Sequence, residues 1–272
     1  MVGRACGELL AGEVAVFYAG RGTADFELDM ASSNAALPDG MRFDVVIHVA
    51  ADFGGTTLED WFRTESVNAL GVLNACRIAR QAEAGHLLLV STVSACYGPQ
   101  DSHYGIYSMS KRHGDELAQL YCRQSGLPLT ILRPSQLYDA DSKCRKHQPL
   151  FYAIVDKAQA GEDMAFFGSN DALRNFLFLD DFADVVARTV KHHVLGVFNC
   201  AAISPVRLSE IAAVAREVFG RGGQTVFQHD RPDIADLPFI DGQQSLFSAI
   251  GYVPATALRQ GLLRIKRARE NP

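Results

Sequence analysis

Along the chain, short apolar runs bounded by turn formers take turns with longer stretches in which apolar positions recur every three or four residues. Val14–Phe17, Val45–Val49, Leu87–Val90 and Leu129–Leu132 are runs of the first kind, and their lack of polar alternation predicts strands buried on both faces. The stretches near 59–83 and 106–125 are of the second kind and predict helices. Alternation of this sort predicts an α/β fold built on a parallel sheet. After Pro134 the rhythm loosens. A helix near 149–160, a strand around Phe176–Leu179, a helix with Asp180 or Asp181 as N-cap, a strand over Val197–Cys200 and a helix after Ser209 are expected there. Residues 1–135 form one expected unit, and residues 136–272 a smaller α/β lobe partly interleaved with it.

Composition narrows the class. The chain has 272 residues, 48% of them apolar, enough for one large domain or two small ones around a real core. No stretch approaches the length of a membrane span, and no basic segment leads into an apolar one at the start, so a cytoplasmic protein with no membrane partner is expected. Six cysteines are scattered without a C-x-x-C pair and read as buried free thiols, with no metal site expected. A net charge of −5 argues against a nucleic-acid partner. KCRKH at 143–147 and RIKRAR at 264–269 are nevertheless basic, and the second reads as a solvated helix face.

The stretch that carries chemistry is YSMSK, Tyr107 to Lys111, at the start of a helix. Residues four apart project from one face, so phenol and ammonium point into the same cleft. A free phenol titrates near ~10, and each unit of depression takes ~1.4 kcal/mol of preferential stabilisation of the phenolate. An ammonium within about 4–6 Å supplies such stabilisation, which is what a general base needs. Y-x-x-x-K alone is a common accident. Its neighbours sharpen it: FDVVIHVAA at 43–51, VNALGVLNACRIA at 67–79, LLLVSTVSACYG at 87–98, LTILRPSQLY at 129–138, RNFLFLDDFADVV at 174–186 and GVFNCAA at 196–202 follow in a fixed order. Small residues end the strand at Ala50 and Ala51, and hydroxyls end the one at Ser91 and Thr92, where open α/β sheets hold their ligands.

This succession resembles the extended short-chain dehydrogenase/reductase family, the NAD-dependent epimerases and dehydratases that act on nucleotide sugars. The resemblance implies a Rossmann-like doubly wound sheet, NAD or NADP as cofactor, and a nucleotide sugar as substrate. It implies that Tyr107 is the catalytic acid/base and that Lys111 lowers its pKa and binds the nicotinamide ribose. Thr92 then bonds the sugar oxygen being oxidised, with Ser94 in reserve, because counting back from Tyr97 places Val93 at that position instead. Asp29 would contact adenine, and Ala50, Ala51 and Pro134 would line the cofactor. Arg174 would grip the nucleotide diphosphate, with Arg231 as a second phosphate ligand. Asn175 stands where the family usually has Asp, and Gln136 where an Asn often lies near the sugar.

The absence of an Asp-Glu pair after Thr92, where Val93 and Ser94 stand, argues against a sugar 4,6-dehydratase. Epimerisation or reduction of a keto-sugar is left, with Cys96 and His147 as candidates for a second acid/base. A catalytically silent cofactor-sensing or scaffold protein on the same fold is the alternative. A homodimer is expected through the two helices near 59–83 and 106–125, which carry Trp61, Phe62, Leu117, Leu120 and Tyr121 beyond one stripe.

The N-terminus departs from the family pattern. MVGRACGELL reads as a helix with Ala5, Leu9 and Leu10 on one face, running into Val14–Phe17. A dinucleotide-binding unit starts instead with a buried strand and a glycine-rich turn. Gly3 is expected to be the last fingerprint glycine, and an apolar strand and glycine turn are expected upstream of Met1 in the natural reading frame. Tyr18-Ala19-Gly20-Arg21 offers no carboxylate for a ribose diol and one arginine for a 2′-phosphate, which leans toward NADP.

Overall fold

The computed structural model describes every residue except Thr23, Phe239 and Pro272. Its centre is a parallel sheet in the order β10 (Gly196–Cys200), β5 (Leu129–Pro134), β4 (His86–Val90), β3 (Val45–His48). All five residues of β4 are buried, as expected of an inner strand with helices on both faces. Successive side chains point to opposite faces. Leu87 and Leu89 meet Val72, Ala75 and Ala79 of α3 (Gly71–Gln81) and Ala118 of α4 (Ile106–Ser125). Leu88 and Val90 meet Cys6 of α1 (Val2–Leu10), Phe182 and Val185 of α6 (Leu179–Lys191) and Leu246 of α8 (Gln244–Ile250).

The predicted helix near 59–83 is divided. α2 (Leu58–Glu65) opens on a capping box in which Thr57 Oγ1 accepts the Asp60 N–H and Asp60 Oδ2 accepts the Thr57 N–H, both at 3.1 Å. A π-helical turn at Ser66–Leu70 then separates it from α3. That turn lies against α4 so closely that a Cβ on Gly114 would run into the Asn68 carbonyl. α4 ends at Gly126, whose φ of 72° supplies the left-handed stop.

The second lobe packs α5 (Pro149–Ala160), α7 (Leu208–Phe219) and α9 (Leu258–Glu270) around Phe151, Tyr152, Ile211 and Leu262. A parallel pair, β7 (Met164–Phe167) and β12 (Thr225–Gln228), edges it. β6 (Gln136–Tyr138) pairs with β9 (Phe176–Phe178), and β8 (Leu173–Arg174) with β11 (Val206–Arg207). No helix among the described residues is long and apolar enough to cross a membrane.

Several expectations are corrected. Val14–Phe17 is not a strand: Val14 and Phe17 are each 55% exposed, and the pairing residues are Ala19–Gly20 (β1), parallel to Phe26–Glu27 (β2). Apolar residues hold an extended ladder only where a neighbouring strand takes their backbone groups, and no strand joins the β1–β2 pair to the outer edge of β3 among the described residues. α1 buries Cys6 and packs Val2 and Ala5, whereas Leu9 is exposed. Asp180 and Asp181 lie inside the first turn of α6, whose N-cap position is Phe178. Asp181 instead accepts both the N–H and the hydroxyl of Thr256 at 2.8 Å. RIKRAR is stitched down rather than fully solvated: Arg264 lies over the Phe178 ring, Lys266 donates to the Val218 carbonyl, and Arg269 donates to Asp156.

Candidate active site

Because β3, β4 and β5 are parallel, their carboxyl ends bring Ala50, Thr92 and Pro134 to one edge of the sheet. α4 starts there, which sets Tyr107 in its first turn. Thr92 is the N-cap of a short 3₁₀ turn, Val93–Cys96, and accepts the Ser94 N–H at 3.2 Å. Its hydroxyl also faces the Tyr107 phenol and favours its ionised form. Of the three candidates Thr92, Val93 and Ser94, Thr92 is the one on Tyr107; the Ser94 hydroxyl pairs with Tyr97.

One helical turn on, Lys111 is 4% exposed and donates to the Val90 carbonyl at 3.0 Å. Burial pushes its ammonium down to about 8, against the opposing pull of Asp115. Burial likewise pushes the Tyr107 phenol up to about 12, outweighing the Thr92 contact that favours its ionised form. The expected depression of the phenol by Lys111 is therefore not a property of the protein alone: desolvation outweighs the attractive contacts at both groups.

Three further residues complete the cluster and were not singled out from the sequence. Asp115, one turn beyond Lys111, is 3% exposed and accepts Arg133 Nε at 2.8 Å. The four-residue spacing that joins Tyr107 to Lys111 extends to it, and that was the available signal. Asn68, buried in the π-helical turn, accepts the Asp52 N–H at 2.8 Å and donates to the Asp52 carbonyl at 2.7 Å and to Ser110 Oγ at 3.0 Å. It thereby ties the loop after Ala50 and Ala51 to α4; π-turns recur at functional sites. Phe53 stacks on Tyr107 with centroids 5.2 Å apart and on His147 at 3.8 Å. Nothing in local periodicity marks such a bridge between loops.

The remaining expected residues are spread out. Gly3, at the start of α1, lets the helix lie against the strand end: a Cβ there would stand 2.9 Å from Val49 Cγ2. Asp29 is exposed and occupied by its own turn, accepting the Ala31 N–H at 3.0 Å. Arg174 is buried, and its guanidinium donates to the carbonyls of Leu173 and Ala235, both at 2.8 Å. Arg231 lies over the Phe167 ring instead. Cys96 is exposed, with Arg133 donating to its Sγ at 3.4 Å. Asn175 makes two bonds to Ala202, and Gln136 Nε2 donates to Gln148. A cavity of about 20 Å³ beside Val93 and Tyr97 is lined by Ser135, Gln136 and Asn175. Ser135 Oγ and Gln136 Oε1 are buried without partners among the described residues.

The donor set fits the nicotinamide half of a dinucleotide. Lys111 has three N–H groups and spends one on Val90, so a ribose diol can take the others. The expected contribution of this chain at the adenosine half is the N-terminus of α1, with its close helix–strand contact at Gly3.

Three comparisons bear on this geometry. The family model described as NAD dependent epimerase/dehydratase matches residues 10–201. GDP-L-fucose synthase of Sinorhizobium fredii is 23% identical over 242 residues, 80% of this chain and 76% of that protein. Among solved structures, UDP-glucose 4-epimerase of Thermotoga maritima, determined with UDP-glucose, superposes with a TM-score of 0.79 at 16% identity, covering 99% of this chain and 96% of that one. UDP-N-acetylglucosamine 4-epimerase of Bacillus cereus gives 0.77 at 18% identity, covering 100% and 94%. The structures share the fold, and the family model covers most of the chain, including Thr92 after β4 and Tyr107 and Lys111 on α4. The chain belongs to the NAD dependent epimerase/dehydratase family.

Proposed function

We propose that this chain is an NAD(P)-dependent enzyme that oxidises or epimerises a nucleotide sugar, with Tyr107 as the proton-transferring group. The observation that carries the reading is the convergence of Thr92, Tyr107 and Lys111 at the carboxyl ends of adjacent parallel strands. A bound nicotinamide supplies the hydride acceptor or donor. Lys111 holds its ribose, and Ala50, Ala51 and Pro134 line its approach. Tyr107 takes the hydroxyl proton of the sugar, and Thr92 holds that oxygen in line. Unpartnered Ser135 Oγ and Gln136 Oε1 offer hydrogen bonds to a polar ligand in the neighbouring cavity. Arg174, and Arg231 on a different element, would meet the diphosphate, which requires Arg174 to exchange its two carbonyl partners for phosphate oxygens.

The position of His147, one ring beyond Tyr107 across Phe53, favours a second reading in which a keto-sugar is epimerised and then reduced, with His147 as the added acid/base. Absence of an acidic pair after Thr92 speaks against a 4,6-dehydratase. The exposed apolar side chains of Leu58, Trp61, Phe62 and Leu120 would be covered by a second copy of the chain.

Purified chain assayed with UDP-, GDP- and dTDP-linked sugars and their 4-keto forms, with NAD⁺ or NADPH, is the test. Product from one nucleotide class is expected. Cofactor binding without turnover of any of these would overturn the enzymatic reading in favour of a sensing or scaffold role.

A further inference from the structure

Lys111 can act as a cation only if something holds its proton in a place that water hardly reaches. Each element packed against it contributes a group. From α4 come Tyr107 and Asp115, from β4 the Val90 carbonyl, from β3 His48, and from β5, through Asp115, Arg133. The Tyr107 phenol is neutral, and His48 is buried and pushed down to about 3 by burial and by the charge of Lys111 itself. Among these groups, Asp115 is the negative charge.

Asp115 would itself tend to take up a proton, since burial raises its carboxyl; Arg133 opposes this from 2.8 Å. A buried ion pair is a weak source of stability, because desolvation cancels much of the attraction. The place of Asp115 one turn beyond Lys111, on the face that also carries Tyr107, gives it a role in the site instead.

We propose that Asp115, kept ionised by Arg133, is a positioning residue that keeps the Lys111 ammonium charged and so sets the upper pH limit of the reaction. The proposal rests on the role given to Lys111 above. Arg133 is part of the device, since it faces Asp115 from the neighbouring strand at 2.8 Å.

The Lys111 side chain can be titrated by ¹³C and ¹⁵N NMR in the full chain, assigned by its loss in Lys111→Met. Asp115→Asn is expected to lower its midpoint by about one pH unit or more, and Asp115→Glu to restore it. The alkaline limb of kcat against pH should move down by the same amount. Should Asp115→Asn fail to fold for want of a partner to Arg133, the double variant Asp115→Asn/Arg133→Gln removes both charges, and the midpoint should still fall. An unmoved Lys111 midpoint in a folded variant overturns the proposal. This titration needs neither substrate nor turnover, so its failure is distinct from a failed nucleotide-sugar assay.

Discussion

The start of α4 and the stretch from Val14 to Asp29 are built in contrasting ways. Around Tyr107 the charged and proton-bearing groups are tied to other elements: Thr92 to the phenol, Val90 to Lys111, Arg133 to Asp115, Asn68 across to Ser110. Around Val14 the chain has two-residue strands, half-exposed apolar side chains and a carboxylate that caps its own turn. The difference teaches that the end around Tyr107 is held by non-local contacts across the sheet. The stretch from Val14 to Asp29 is held mainly by α1 against Tyr18 and by the packing of Leu28, Ala35 and Leu37 on α3.

The strongest test of the ordered side is Tyr107→Phe, which removes one oxygen and leaves the ring on Phe53. Turnover should fall by about 10²–10⁴-fold while circular dichroism and thermal midpoint stay put. Retained turnover would remove the phenol from the mechanism.

Acid should attack the sheet beneath it. His48 and His86, both buried, are held down to about 3 and about 4, mainly by burial. The unfolded chain takes up those protons below about 6.5 while the native chain does not. Their stabilisation is therefore full above about 6.5 and is lost as pH falls toward the native values. Thermal midpoints at pH 7 and pH 5 should differ, and His86→Gln should reduce the difference.

A matched pair of glycine substitutions compares the regions directly. Gly114→Ala drives a methyl into a backbone carbonyl of the π-helical turn and should cost about 1–3 kcal/mol in urea unfolding. Gly3→Ala meets only the Val49 side chain, which can turn aside, and should cost less. Val14→Ser should change stability by no more than about 0.5 kcal/mol, as expected of an exposed position. A larger loss there would mean that the stretch is more firmly packed than its exposure shows.

Much of the ordered side could be read from the residues. Tyr107 and Lys111 share a helical face by spacing alone, and β3, β4 and β5 stand out as apolar runs. What escaped has a physical cause. Arg133 and Asp115 meet across 18 residues of chain, and Phe53 meets His147 between two loops, so no local period encodes either contact. Val14–Phe17 misled for the converse reason: its composition suits a strand, but pairing depends on a neighbour that composition does not report. The short strands β7 and β12 and the helix α8 lie where apolar periodicity is too brief to register.

The outer edge of β3 has a consequence for handling. Val45, Val46 and Ile47 offer a ladder side with no partner strand among the described residues, and neither lysine nor proline interrupts them. Such an edge is a template for any extended apolar segment it meets. Concentrated solutions should therefore lose protein to edge-to-edge aggregation, at a rate that climbs steeply with concentration. A single lysine placed at Val45, which packs into none of the buried clusters that take Val46 and Ile47, should slow that loss more than a change of salt does, because it blocks the template rather than weakening charge–charge contacts.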